Sequence, residues 1–237
     1  MLHPRLLAIA LATTSLSLAH AQWDPAFTQS IGFGDEGLSE RSIHVCNDAH
    51  GNVFCVARYS TTLGLQRWDS LGYPTWDVGV IVPNAGVVNR DHILAPDEHG
   101  GCYLAYVLNT GNIGAYVQHL DSTGAPLLPW PGQRVITPGG SFWADVWMER
   151  DTSYLYISFS REDNDGINKV FAQKMGLDLQ RQWGDTGIIV SPPGDDHLNA
   201  RCLADGEGGM VLLYRAYANG SNTFMRMQHL DSTGTGL

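Results

Sequence analysis

Polar and apolar positions along this chain alternate in short runs, and one composite run returns four times. Each copy carries a strongly apolar segment of period two: 52–57 (NVFCVA), 101–106 (GCYLAY), 153–158 (SYLYIS) and 209–214 (GMVLLY). Each segment follows a turn bearing an aspartate: Asp48, Asp97, Asp151 or Asp205. A loop rich in Asn, Gly and Thr comes next, then a strand that ends at Gln66, Gln118, Gln173 or Gln228, with steps of 52, 55 and 55 residues. In three copies an Asp-Ser turn follows, as in Asp121-Ser122-Thr123-Gly124, where Asp and Ser bond the backbone and Gly supplies positive φ. Trp76, Trp130 and Trp183 then introduce a final short strand. Period-two alternation predicts strands, and beyond residue 21 no helical period lasts longer than a turn or two. Four short antiparallel strands per repeat make a blade that cannot bury both faces alone, so neighbours must stack. The expected fold is all-β: a β-propeller of about four antiparallel four-stranded blades over residues 22–237.

The recurrent tryptophans are expected to pack between blades, with Trp23 as a fourth member of the set. The chain therefore begins with a Trp-bearing strand and stops at Leu237 without one. Either the N-terminal strand completes the fourth blade of a closed ring, or the chain is a fragment of a larger propeller. The uncapped Thr235-Gly236-Leu237 end favours the fragment, because repeat arrays need protected termini.

Residues 1–21 change the picture of location. Arg5, an apolar run from Leu6 to Leu18 and Ala19-His20-Ala21 read as a secretory signal cleaved before Gln22. That run is too short to span a bilayer, and no transmembrane segment is expected after its removal. Its loss removes one base and no acid, leaving 13 basic and 24 acidic side chains. An acidic chain with only 16% charged residues is a poor partner for nucleic acid, which needs clustered Lys and Arg. In an oxidising compartment Cys46 and Cys55, flanking one turn and placed on one face by a 47–52 pairing, leave a disulfide as an open alternative. Cys102 and Cys202 read as small core hydrophobes.

The repeat Asp-x-x-Gly-Gly, apolar strand, x-x-Gln-x-Leu-Asp, Ser-x-Gly and Trp resembles the propeller repeats of secreted Bacteroidetes proteins. The resemblance covers residues 23–237 and implies a secreted or cell-surface β-propeller, without implying an activity. The spacing Asp69, Gly72, Trp76 is also similar to quinoprotein-type propellers, where it serves packing; no quinone site is carried over.

Candidate chemistry lies where the copies differ. In the strand before each turn aspartate one face is mostly apolar and the other reads Ser42/His44, Asp91/Ile93, Trp143/Asp145 and Asn199/Arg201. If that strand lies innermost, His44, Asp91, Trp143, Asp145, Asn199 and Arg201 converge at the channel mouth as a candidate ligand site. The plainer reading is a water-filled polar lining. Trp147 joins the set, since Trp143, Asp145 and Trp147 share a face, and rings flanking an acid suit a sugar. Glu162-Asp163-Asn164-Asp165-Gly166 lacks the downstream bidentate Glu of a calcium loop, so an acidic hairpin is expected there and no metal or other cofactor is assigned. No His-Glu-x-x-His, Gly-x-Ser-x-Gly or phosphate loop occurs in the sequence. The leading expectation is thus a non-enzymatic extracellular scaffold presenting loops to a protein or glycan partner. The alternative is a secreted glycan-active hydrolase or lyase, with Asp91 and Asp145 as a conceivable carboxylate pair.

Overall fold

In the computed structural model, residues 40–59, 62–76, 79–82, 92–108, 113–137, 141–163, 165–218 and 222–237 are described. They form four antiparallel sheets, one per repeat, and the chain is a β-propeller. Blade 1 holds β1 (Glu40–Asn47), β2 (Val53–Tyr59), β3 (Thr62–Trp68) and β4 (Val80–Ile81). Blade 2 holds β5 (His92–Pro96), β6 (Cys102–Leu108), β7 (Gly114–Leu120) and β8 (Gln133–Arg134). Blade 3 holds β9 (Ser141–Arg150), β10 (Tyr154–Glu162), β11 (Asn168–Gly176) and β12 (Ile188–Ile189). Blade 4 holds β13 (Asp196–Ala204), β14 (Met210–Ala218) and β15 (Asn222–Leu230), three strands among the described residues rather than the expected four. The signal-like segment 1–21 and Trp23 lie outside the described residues.

The conserved look of the repeat has a physical cause in each part. The glutamine is half-buried or buried and ties the third strand to the Trp-bearing segment. Gln118 Nε2 donates to Leu128 O at 2.9 Å while its Oε1 accepts from His119 N at 3.0 Å. Gln66 reaches Trp76 O at 3.0 Å and Gln173 reaches Gly184 O at 2.8 Å in the same way. The tryptophans then bridge blades: Trp76 Nε1 donates to Ser122 O of blade 2 at 3.0 Å, and Trp183 Nε1 to Ser232 O of blade 4 at 3.1 Å. The turn aspartate accepts two backbone N–H groups with one oxygen, as Asp97 Oδ1 does from His99 (2.7 Å) and Gly101 (2.8 Å).

Between blades the core follows one parity rule. One face of blade 2, with Ala95, Tyr103, Ala105 and Val117, packs on Met148, Leu155, Ile157 and Phe159 of blade 3. The matching face of blade 3, with Tyr156, Val170 and Ala172, packs on Ala200, Cys202, Met210 and Leu212 of blade 4. Burial of these side chains, at about 25 cal/mol per Å² of apolar surface, is what makes stacked blades stable where single blades are not.

One expectation is corrected by register. β1 pairs Asn47 with Val53 and Cys46 with Phe54, so residue 55 falls on the opposite face from Cys46. Cys46 and Cys55 are not disulfide-bonded, and burial pushes the Cys46 thiol up to about 12.

Candidate functional site

The first strands of successive blades lie side by side, β1 beside β5, β5 beside β9 and β9 beside β13. Four residues before each turn aspartate stand His44, Ile93, Trp147 and Arg201. Three of these meet in space. The His44 ring stands edge-on to Trp147, centroids 6.2 Å apart and planes at 87°. The Arg201 guanidinium lies 4.7 Å over the same indole. His44 Nδ1 accepts the Leu94 N–H at 3.3 Å, which fixes that nitrogen as the acceptor. Trp147 Nε1 is buried with no hydrogen-bond partner among the described residues.

His44 and Trp147 line two neighbouring cavities. The larger, about 310 Å³, opens toward the aspartate turns and is also lined by Glu98, Glu149 and Arg150. The smaller, about 250 Å³, is lined by Ser42, His92 and Arg201 as well. Burial raises the Glu149 carboxyl above the usual range for a glutamate. Glu98 is held in place: its backbone is left-handed at φ 65°, its Oε2 accepts the Ala49 N–H at 3.2 Å, and its Oε1 lies 3.7 Å from Arg150 Nη1. His92 is 5% exposed, with neither ring nitrogen in a hydrogen bond of ordinary geometry, although the backbones of Ser42 and Val56 lie beside it. Burial lowers its pKa to about 4, and the ring is neutral at physiological pH.

The inner strands are irregular at one recurrent place. In β1 the register passes from Arg41↔Arg58 to His44↔Val56, and in β13 from Leu198↔Arg215 to Arg201↔Leu213, one extra residue each time. Ser42 (φ 51°) and Asn199 (φ 57°), each six residues before its aspartate, adopt the left-handed conformation these bulges require. In β9 the register jumps from Phe142↔Arg161 to Val146↔Phe159. The Ser160 N–H released there donates to Asp145 Oδ1 at 3.0 Å.

The predicted residues therefore separate. His44, Trp147 and Arg201 converge on the axis. Asp145 is buried and accepts a backbone N–H at a bulge. Asn199 is exposed at another bulge. Trp143 lies on β9 with its side chain outside the description, and Asp91 lies outside the described residues. Counting from Asp151 makes Trp147, not Asp145, the counterpart of Ile93, so the pairing of Trp143/Asp145 with Asp91/Ile93 is out of register by two. Glu98, Glu149 and His92 were missed. Glu149 was findable, since it lies two residues beyond Trp147 and so on its face of the strand. At the acidic hairpin Lys169 Nζ bonds Asp163 at 3.0 Å and Asp165 at 2.8 Å, an ammonium among the acids. No cluster of three His, Cys, Asp or Glu converges as a metal site among the described residues.

No protein-family model matches the chain, and no curated protein matches it in sequence. Solved structures do match. An endo-arabinase from Bacteroides thetaiotaomicron is 12% identical over 81% of this chain and 76% of its own, with a TM-score of 0.54. A thermostable family-43 glycoside hydrolase is 15% identical over 83% of this chain and 70% of its own, TM-score 0.50. The GH43B protein of a Bacteroides ovatus xyloglucan locus is 14% identical over 84% of this chain but 42% of its own, TM-score 0.50. These likenesses establish the fold, a β-propeller. They also tell against the leading functional expectation of a non-enzymatic scaffold, since these propellers are described as an endo-arabinase and a glycoside hydrolase.

Proposed function

We propose that this chain is a glycan-active hydrolase working in the larger axial cavity. The observation that carries the reading is the pairing of two carboxyl groups of unlike environment, Glu149 and Glu98, in one cavity walled by the Trp147 ring. Glycoside hydrolysis needs one carboxylic acid that keeps its proton near neutral pH and one carboxylate. Glu149, raised by burial, donates its proton to the departing glycosidic oxygen. Glu98, braced by Ala49 N–H and Arg150, acts from the other side, on water or on the anomeric carbon. Trp147, with Arg201 over one face, offers its remaining apolar ring surface to a sugar. Removal of residues 1–21 as a secretory signal places the enzyme outside the cytoplasm, where polysaccharides lie.

The test is reducing-sugar release from arabinan, xyloglucan and β-1,3-galactan by the purified chain. Glu149→Gln and Glu98→Gln are each expected to lower turnover by about 10²–10⁴-fold at unchanged melting temperature. Full activity in both variants, or none in the wild type on any glycan, refutes the proposal. An exported protein that does not begin at Gln22 refutes the signal assignment.

A further inference from the structure

The two axial cavities meet at one level of the inner strands. Along β1 the smaller is lined by residues 42–44 and the larger by residues 44–47; along β9 the ranges are 146–147 and 147–150. At about 3.3 Å per residue, the cavities follow one another along the strands. His44 and Trp147 line both, and so stand at the junction. The Trp147 indole nitrogen is buried, as are both ring nitrogens of His92. His44 differs from them. Its Nδ1 accepts the Leu94 N–H at 3.3 Å, which puts the single proton of the neutral ring on Nε2. Burial lowers the His44 pKa, so the ring is neutral at physiological pH and this tautomer persists. Nε2 itself has no hydrogen-bond partner among the described residues and is not closed off from solvent. The junction therefore carries one fixed, open N–H donor.

Resting on the hydrolase reading, we propose that the substrate is a glycan chain filling both cavities with consecutive sugar residues, and that His44 donates its Nε2–H to an oxygen where the two residues meet. The larger cavity, with Glu98 and Glu149, holds the residue whose bond is cut. The smaller, about 250 Å³ and lined by Ser42 and Arg201, holds its neighbour on the chain. Sugar hydroxyls are acceptors as well as donors, so a neutral N–H meets them without needing a charge. His44 is held by the backbone of blade 2 and stands edge-on to Trp147 before any ligand arrives, so little side-chain ordering is lost in the contact. A free sugar fills one cavity and leaves the junction empty, so His44 selects for chain length.

The test is isothermal titration of the full chain carrying Glu149→Gln, which leaves its ligands uncut, with fragments of one to four sugar residues from arabinan, xyloglucan and β-1,3-galactan. Affinity for one of these glycans should rise from one residue to two. His44→Asn, whose Oδ1 falls near Nδ1 and still accepts the Leu94 N–H, is expected to weaken the longer fragments by about 3- to 10-fold and the single sugar by less than about 2-fold, at unchanged melting temperature. His44→Gln, which returns an amide N–H near Nε2, should recover part of that loss. Imidazole nitrogen NMR of the wild type should find the His44 proton on Nε2. A proton on Nδ1, no gain from the second residue, no effect of His44→Asn, an equal loss at every length or no binding of any fragment overturns the proposal; the equal loss marks a purely structural histidine. Fragments bound as expected but never cut by the wild type sink the hydrolase reading and leave the two-cavity site standing. Cleavage by the wild type with a length-independent effect of His44→Asn does the reverse.

Discussion

Replacing Gly101 by alanine tests how the aspartate turn is built. A Cβ on Gly101 would fall 2.1 Å from Leu120 O, 2.6 Å from Asp97 Oδ2 and 2.9 Å from Asp121 C. Two of these atoms are backbone of β7 and its turn, so no side-chain rotation relieves the contact. β7 must retreat from β6, and Asp97 must also move and break its 2.9 Å bond to His119 Nε2. Overpacking of this kind costs about 1–3 kcal/mol, and a lost hydrogen bond to a charged group about 1.5–3 kcal/mol. A loss of roughly 4 kcal/mol is expected, which for a domain of this size lowers Tm by on the order of 10 °C. Gly209 meets the same arrangement in blade 4, at 2.2 Å from Leu230 O and 2.6 Å from Asp205 Oδ2, and Gly209→Ala should behave alike. The control is Gly206→Ala, where φ is +83° but nothing lies within 4 Å. It should lose only about 1–2 kcal/mol for the left-handed backbone. The assay is urea unfolding followed by tryptophan fluorescence. A Gly101→Ala loss no larger than that of Gly206→Ala would refute the packing argument.

Further outcomes follow from other sites. Asp145→Ala should cost about 1–3 kcal/mol, by orphaning the Ser160 N–H, while turnover per folded molecule stays unchanged; a selective loss of turnover would return Asp145 to the chemistry. Trp183→Phe keeps most of the apolar packing but loses the bond to Ser232 O, so a loss of about 1 kcal/mol is expected by thermal unfolding. Burial works to raise the pKa of Asp97 and Asp205, but hydrogen bonds from His119 or His229 and from turn N–H groups outweigh it and hold both below the usual range. Their contribution is therefore complete above the unfolded carboxylate value near pH 4 and fades as pH falls through the depressed folded values. Acid titration of Tm should show this, and a Tm that does not fall below about pH 4 contradicts it. For Glu149 the shift is upward, so the proton it donates is lost as pH rises through the raised pKa; the alkaline limb of the rate profile should vanish in Glu149→Gln.

The fold was readable because its determinants are local and repeated. The Gln anchors of blades 1 to 3, the four Asp turns, and Trp76 and Trp183 each repeat one bond, so their spacing marks the blades. The turn even carries a second correlation. Where glycine follows the loop, as at Gly101 and Gly209, a histidine from the third strand reaches the aspartate's second oxygen; where Asn52 stands instead, its own amide does so at 2.6 Å. In blade 3, with a shorter turn, Tyr156 hydroxyl fills that role at 2.8 Å. The site was only half readable. His44, Trp147 and Arg201 were identified because they break the repeat at an inner strand. Asp145 was misplaced because a bulge adds residues that the period-two count does not see. Glu98 was hidden because its position depends on a left-handed turn and a contact with Ala49 of another blade.

Those bulges have an evolutionary consequence. A perfectly paired inner strand would chain every axial residue to a core residue beside it, and an inserted residue would turn the whole strand inside out. Ser42 and Asn199 already absorb an odd residue at the same point in their strands. Upstream of that point sequence can drift, lengthen or change hands while Val146, Ala200 and Cys202 stay fixed between the blades. His44 and Arg201 lie downstream of that point, in paired register with Val56 and Leu213, and so hold their places whatever precedes them.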